Sequence, residues 1–434
     1  MKIGVIGAWH LGTVTAACLA DLGYDVTAAD REDARIQELN AGTSPIFEPG
    51  LGELLARNLA AGRLRFTTDL GQAVTEAPYV IIAYDTPVDD QDRVDLAPLI
   101  SAAAEIAPHL SPAATVIVSS QVPVGTCAAL ADIIQEANPS PAFGIACVPE
   151  NLRLGQAIEL FKAPDFLVLG ADEGATHERL EALFAPIKTA KLRMGLRTAE
   201  MTKHAINAYL ATSISFINEI ANLCDIAGAD APQVSEALRL DRRIGPGLPL
   251  KPGLGFAGGT LARDMKALQR LAAENKCEAP LIKAVLAVNE RQNRLVIERL
   301  KEYYGTLRGL HVGVLGLTYK PGTSTLRRSA ALELIQELAA QGASVKAYDP
   351  KADPREMEGW RDLFTLSPDA YAAAEGSQAL ILATGWPQFK ELDFQRIRGL
   401  VDNPLILDAQ NLLDADRMSG LGFIYRGIGR SRGT

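Results

Sequence analysis

Between residues 251 and 264 the chain reads Lys-Pro-Gly-Leu-Gly-Phe-Ala-Gly-Gly-Thr-Leu-Ala-Arg-Asp. Gly253, Gly255, Gly258 and Gly259 leave the loop little side-chain bulk, and a helical pattern follows from Leu261 to Leu268. Such a loop lets backbone amides approach a ligand, and a helix N-terminus behind it favours anions. A plain turn before a helix has the same composition, so the surroundings decide. Lys203 and Asn207 stand four apart, on one face of a predicted helix. Three loops leave the C-terminal ends of predicted strands: Ala83-Tyr84-Asp85-Thr86-Pro87, Ser120-Gln121-Val122-Pro123 and Val148-Pro149-Glu150-Asn151-Leu152. Doubly wound sheets bind ligands at that edge.

The start of the chain carries a second signal. An apolar run at residues 2–6 leads into Gly7-Ala8-Trp9-His10-Leu11-Gly12, a helix reaches about Leu22, and a strand at Asp25–Ala29 ends at Asp30. Strand, glycine turn, helix, strand and acid in this order form the layout of a dinucleotide-binding domain. A carboxylate at 30 accepts hydrogen bonds from a ribose diol and repels a 2′-phosphate, which favours NAD over NADP. Trp9 occupies the place of the middle glycine, where backbone normally approaches the pyrophosphate. The usual cofactor pose therefore has an indole to accommodate.

Larger elements must position these groups. Strands are expected at 79–83, 115–119 and 166–170, with helices between them. Residues 198–227 contain no Gly or Pro and keep helical apolar spacing, giving a helix of roughly 45 Å. That is too long for one face of a small core, so it links domains or builds a dimer. Near 311–316 a second strand–turn–helix unit begins, with strands at 343–348, 379–384 and 405–408. Lys320, Arg327 and Arg328 fall on its first turn and could hold a phosphate or carboxylate. The expected fold is α/β, with two doubly wound Rossmann-like domains (1–190 and 304–434) joined by a central long-helix domain (191–303).

Bulk properties narrow the class. The 434 residues exceed the ~250–300 at which one core stops growing, so two or three domains are required. No run of ~20 apolar residues exists, and the chain starts in a strand, so neither membrane span nor signal peptide is expected. A net charge of −9 argues against nucleic acid as a partner. Five scattered cysteines without paired spacing point to reduced thiols in a cytoplasm, and five unclustered histidines offer no metal site.

The layout resembles the nucleotide-sugar 6-dehydrogenases, the UDP-glucose and GDP-mannose dehydrogenase family, over nearly the whole chain. The match is carried by Pro45-Ile46-Phe47-Glu48-Pro49-Gly50-Leu51, by Ala199-Glu200-Met201-Thr202-Lys203 through Asn207, and by Ile214-Ser215-Phe216-Ile217-Asn218-Glu219-Ile220-Ala221. Arg243-Ile244-Gly245, the glycine loop, Tyr319-Lys320-Pro321, Arg327 with Ser329, and Ala383-Thr384-Gly385-Trp386-Pro387 continue it in order. Family enzymes oxidise the sugar C6 alcohol to a carboxylate with two NAD. A cysteine captures the intermediate aldehyde and forms a thioester that water cleaves.

By position, the resemblance implies that Lys203 stabilises oxyanions, while Asn207 and Asp264 orient water and assist proton transfer. Glu150, Asn151 and Leu152 would line the sugar. Arg243, Gly255, Phe256, Gly258, Tyr319 and Lys320 would contact the sugar nucleotide. Gly7, Gly12, Asp30, Thr86, Gln121, Arg263 and Arg327 would attend the NAD. A homodimer through the long helix is implied as well.

The departures from the family fall on the chemistry. Thr260 stands at the cysteine position, and an alcohol is almost wholly protonated where a cysteine supplies thiolate. Leu154 replaces a glutamate, Gln121 a threonine and Gln410 a substrate-binding arginine. On the cofactor side Trp9 and Asp85 replace glycines, and Arg263 replaces a lysine. A carboxylate at 85 would repel a pyrophosphate by about 1–4 kcal/mol at 4 Å unless paired. The sequence therefore predicts a redox enzyme that stops at two electrons or returns its hydride after epimerisation or dehydration. A non-redox nucleotide-sugar-binding or regulatory homologue is the alternative, and an ordinary 6-dehydrogenase the third reading.

Overall fold

A computed structural model describes residues 1–86, 89, 93–139, 142–256 and 260–430. The chain divides into two compact units, Met1–Ala205 and Ile206–Thr434. Its fold is α/β, with two Rossmann-like sheets and a helical region between them in sequence.

Among the described residues the first unit holds eight strands: β1 (Lys2–Ile6), β2 (Asp25–Ala29), β3 (Leu64–Thr67), β4 (Tyr79–Ile82), β5 (Thr115–Val118), β6 (Gly144–Cys147), β7 (Phe166–Gly170) and β8 (Ala190–Met194). They lie in the order β3-β2-β1-β4-β5-β6-β7-β8. All neighbours are parallel except β6 and β7, which meet antiparallel through the pair Cys147 and Gly170. Ile3, Val5 and Ile6 of β1 and all of β4 are buried, as strands covered on both faces must be. One core layer, with Val14, Leu19 and Leu55, covers one face; another, with Leu99, Leu130 and Ile134, covers the other.

The second unit repeats the plan with β9 (His311–Leu315), β10 (Ser344–Tyr348), β11 (Thr365–Leu366), β12 (Ala379–Leu382), β13 (Leu405–Asp408) and β14 (Ile424–Gly427). The order is β11-β10-β9-β12-β13-β14, all parallel. The sequence reading gave the main strands to within two residues at each end, the largest difference being β12, expected to reach 384 and ending at Leu382, but passed over β3, β6, β8, β11 and β14. These are short or carry polar residues, so periodicity alone is a weak guide to them.

The long helix spans Leu196–Ala227, two residues earlier than expected, and is about 48 Å long. It is followed by helices at Ala231–Leu240, Leu261–Glu274 and Pro280–Tyr304. Among the described residues no helix is long and apolar enough to cross a membrane. Cys18, Cys127, Cys147 and Cys224 are buried thiols, and Cys277 is exposed.

Candidate active site

In the first unit the turn after β1 is built by its glycines. Gly7 sits at φ +96°, a region that disfavours any side chain, and its N–H bonds the Ala29 carbonyl at 2.8 Å. A Cβ on Gly12 would lie 1.8 Å from the Gly7 carbonyl oxygen, so only glycine lets the first helix (His10–Asp21) start this close to the strand. Trp9 is the N-cap of that helix, with the Arg35 guanidinium 4.9 Å from the centre of its ring. That distance lies within cation–π range.

Asp30 is 6% exposed and accepts from the Ala8 and Glu32 amides at 2.8 and 3.2 Å and from Arg35 Nη1 at 2.8 Å. An ionised carboxylate has about four acceptor positions, so one remains for a ribose hydroxyl. Beside it, the Tyr84 hydroxyl is buried and has no partner among the described residues. Burial, and next the Asp30 charge, push that phenol up to about 12, so it stays a donor. An orphaned donor and a carboxylate with a vacant lone pair fit the ribose end of a dinucleotide, where Gly7, Asp30 and Tyr84 would hold it. The pyrophosphate end differs, because Asp85 Oδ2 accepts the Leu11 N–H at 3.3 Å.

Other edge residues of this unit lie against one another. The Thr86 hydroxyl donates to the Gln121 carbonyl at 2.9 Å, and both residues are buried. Lys203, only 8% exposed, points Nζ at the Glu150 carbonyl, at Asn151 Oδ1 (3.4 Å) and at Glu150 Oε1 (3.5 Å). The other Glu150 oxygen accepts the Leu152 amide at 2.6 Å, which folds the loop back on itself.

Two buried carboxylates, quoted only within motifs, brace this region. Glu48 accepts from His10 Nε2 at 3.0 Å and from the Gly155 and Ala157 amides at 2.8 Å each. Burial alone would raise its pKa, but these bonds outweigh it and hold the carboxyl below its ordinary value. Glu200 accepts from the Gly125 and Cys127 amides and so caps the helix Thr126–Ala137. Neither contact is local in sequence, so spacing alone could not reveal them.

In the second unit the glycine loop is clamped by side-chain amides. Gly253 donates to Asn218 Oδ1 (3.0 Å) and accepts from Gln292 Nε2 (2.7 Å). Phe256 exchanges both backbone bonds with Asn289, at 2.7 and 3.0 Å. A Cβ on Gly255 would come within 2.4 Å of Asn289 Oδ1 and 2.5 Å of Asn293 Oδ1, so the clamp requires glycine there. Asn289 and Gln292 escaped the sequence reading. Their signal was two amides three apart on the helix Pro280–Tyr304, whose buried face is otherwise apolar.

Thr260 is the N-cap of the helix Leu261–Glu274 and makes no side-chain cap bond. One turn on, Asp264 is fully buried and accepts from Asn207 Nδ2 at 2.5 Å. Arg263 is half-buried on the same turn. Gly258 lies outside the described residues.

Tyr319, Lys320 and Arg327 all fall on the loop between β9 and the helix Ala330–Ala340. Burial raises the Tyr319 phenol. Arg327 is exposed, with its backbone N–H on Glu356, and Arg328 beside it sits at φ +53°, a left-handed value uncommon for any residue but glycine. Gln410 donates to the Ala383 carbonyl at 2.8 Å. Arg243 does not join the other residues within its own chain. Its side chain extends into solvent and pairs with Asp241, two residues away, at 2.6 Å.

A glycine turn with an acid after the second strand, and polar loops at the sheet's C-terminal edge, are the marks of a dinucleotide-binding domain. Family models match in register: the NAD-binding domain over residues 1–188, the central domain over 197–291 and the UDP-binding domain over 313–415. The chain belongs to the UDP-glucose/GDP-mannose dehydrogenase family of NAD-dependent nucleotide-sugar dehydrogenases, and NAD is its cofactor.

It is 39% identical to UDP-glucose 6-dehydrogenase of Pseudomonas aeruginosa, over 100% of this chain and 98% of that one. It is 37% identical to UDP-glucose 6-dehydrogenase TuaD of Bacillus subtilis, over 100% and 94%. Among solved structures, a UDP-glucose dehydrogenase from Pyrobaculum islandicum superposes with TM-score 0.91 at 33% identity, covering 99% of this chain and 97% of that one.

Proposed function

We propose that this protein oxidises a carbinol of a nucleotide sugar, or of a related nucleoside, and stops short of the acid. In a two-electron step the carbinol C–H leaves as hydride, the O–H leaves as a proton, and a carbonyl remains. NAD supplies the hydride acceptor. Lys203, held against Glu150 and Asn151, would stabilise the developing alkoxide. Asp264, aligned by Asn207, would receive the proton through water. The alternative outcome on the same groups is return of the hydride after epimerisation or elimination.

One observation carries this reading. Among the described residues no side chain bonds the Thr260 hydroxyl, so no base prepares it to attack an aldehyde. The names of the relatives favour the ordinary four-electron 6-dehydrogenase instead. The Asp85 contact with the first helix favours a third reading, a binding protein without turnover.

Incubation with NAD and a panel of nucleotide sugars, with products and NADH both quantified, separates the three. One NADH per aldehyde or ketone, or product without net NADH, is expected. Two NADH per uronic acid would overturn the proposal in favour of the 6-dehydrogenase, and neither product nor NADH would leave the binding protein.

We also propose the three-domain division 1–190, 191–303 and 304–434, and a homodimer in the cytoplasm. Tyr209, Phe216 and Leu223 recur every seven residues along the long helix and are 49–61% exposed, and Ile226 beside them is 84% exposed. A row of large apolar side chains on one helix face marks an interface. Sedimentation should give a dimer, and Phe216→Glu with Leu223→Glu a monomer. A wild-type monomer would remove this assignment.

A further inference from the structure

The first helix opens with amides that have no partner inside the helix, and its ladder starts only with the Thr13 N–H on the Trp9 carbonyl. Those amides are where a doubly wound sheet holds a dinucleotide's pyrophosphate. In this chain one of them is already engaged, by Asp85 Oδ2 on the Leu11 N–H. A single N–H proton cannot serve the carboxylate and a phosphate oxygen fully at once, and the two anions repel each other. We infer that Asp85 is an internal competitor for the cofactor's pyrophosphate and sets a low affinity for NAD by having to move first.

The surroundings determine how it moves. Ala83 is tied to the Ile6 carbonyl at 2.8 Å, and the Thr86 hydroxyl to the Gln121 carbonyl at 2.9 Å. Residues on both sides of Asp85 are therefore anchored, Ala83 through its backbone and Thr86 through its side chain, and release is a rotation of the Asp85 side chain. Asp85 is exposed, so the rotated carboxylate enters water without a burial penalty. Competition of this kind raises the dissociation constants of NAD and NADH together and speeds product release. The inference rests on NAD as cofactor and is independent of which oxidation product forms.

Titration calorimetry on the full chain without sugar tests it, using wild type, Asp85→Asn and Asp85→Gly, with NAD and with adenosine as a probe that lacks phosphate. NAD should bind at least fivefold tighter to Asp85→Asn and tenfold tighter to Asp85→Gly, with adenosine unchanged within twofold. The inference is overturned if NAD binds both variants no tighter than wild type, absence of binding in all three included. It is equally overturned if adenosine tightens in step with NAD, because the effect would then be space rather than charge. Since no turnover is measured, failure here is distinct from failure of the proposed reaction.

Discussion

The two sheets are built on one backbone plan and end in different uses. Each first strand carries a glycine, Gly4 or Gly313, where an added Cβ would meet a carbonyl oxygen at 2.6 Å, that of Ala73 or Ala373. Each turn begins with a left-handed glycine, Gly7 or Gly316, whose N–H bonds the end of the neighbouring strand at 2.8 or 2.7 Å. Each second strand is followed by an acid, Asp30 or Asp349, that accepts the amide of the residue just after that glycine, Ala8 at 2.8 Å and Leu317 at 2.7 Å.

They diverge after that. The first turn reaches its helix at His10, whereas the second runs from Gly316 to Ser329 before its helix begins. Asp349 accepts from Leu317, Thr318 (amide and hydroxyl), Trp386, Lys351 and Ala352, at 2.7 to 3.0 Å. Six donors saturate a carboxylate with about four acceptor positions, while Asp30 has three and keeps one open. The same residue at the same place is thus a saturated strut in one unit and keeps an acceptor position open in the other.

Exchanging the two acids for amides should break the symmetry most visibly. Asp349→Asn turns an NH2 toward N–H donors and should cost about 3 kcal/mol or more of stability. Asp30→Asn should cost about 1 kcal/mol, because Arg35 keeps Glu32, while weakening NAD binding severalfold. Denaturant titration of both variants checks the order. Equal losses, or the reverse order, would mean that the acids have the same role.

A smaller effect concerns the carboxylate behind the first turn. Glu48 has a folded-state pKa held below its ordinary value by His10, Gly155 and Ala157 against the opposing effect of burial. Its stabilisation is therefore complete above the unfolded value of about 4.5 and is lost as pH falls through the lower folded value. Glu48→Gln should cost about 1–3 kcal/mol at pH 7, and the gap to wild type should close as the pH drops below about 4.5. Thermal melts across pH 3–7 read this; a gap independent of pH would assign the loss to packing.

What the sequence made legible follows from locality. The strand–turn–helix–acid units, the long helix and the second sheet are each local patterns of apolar spacing, glycine and charge. Lys203, Glu150, Asn207 and Asp264 were singled out through family resemblance, while their pairing, Lys203 with Glu150 and Asn207 with Asp264, crosses 53 and 57 residues and is encoded in no spacing. The saturation of Asp349, the amide clamp from Asn289 and Gln292, and the Asp85 bond to Leu11 were not legible at all. Each depends on which way a side chain faces across the fold, and no local pattern encodes that. Arg243 shows the converse, since its motif matches while its side chain points into solvent.

The amide clamp has one more consequence, for ionic strength. Asn218, Asn289 and Gln292 hold residues 253–256 by uncharged dipoles, which dissolved salt does not screen. Around the first turn the exposed charges are Glu32, paired with Arg35, and Asp85, while Asp30 beside them is buried. Adding salt weakens those exposed contacts and leaves the amide clamp unchanged, so residues 253–256 keep their shape in media where the rim of the first turn is softened.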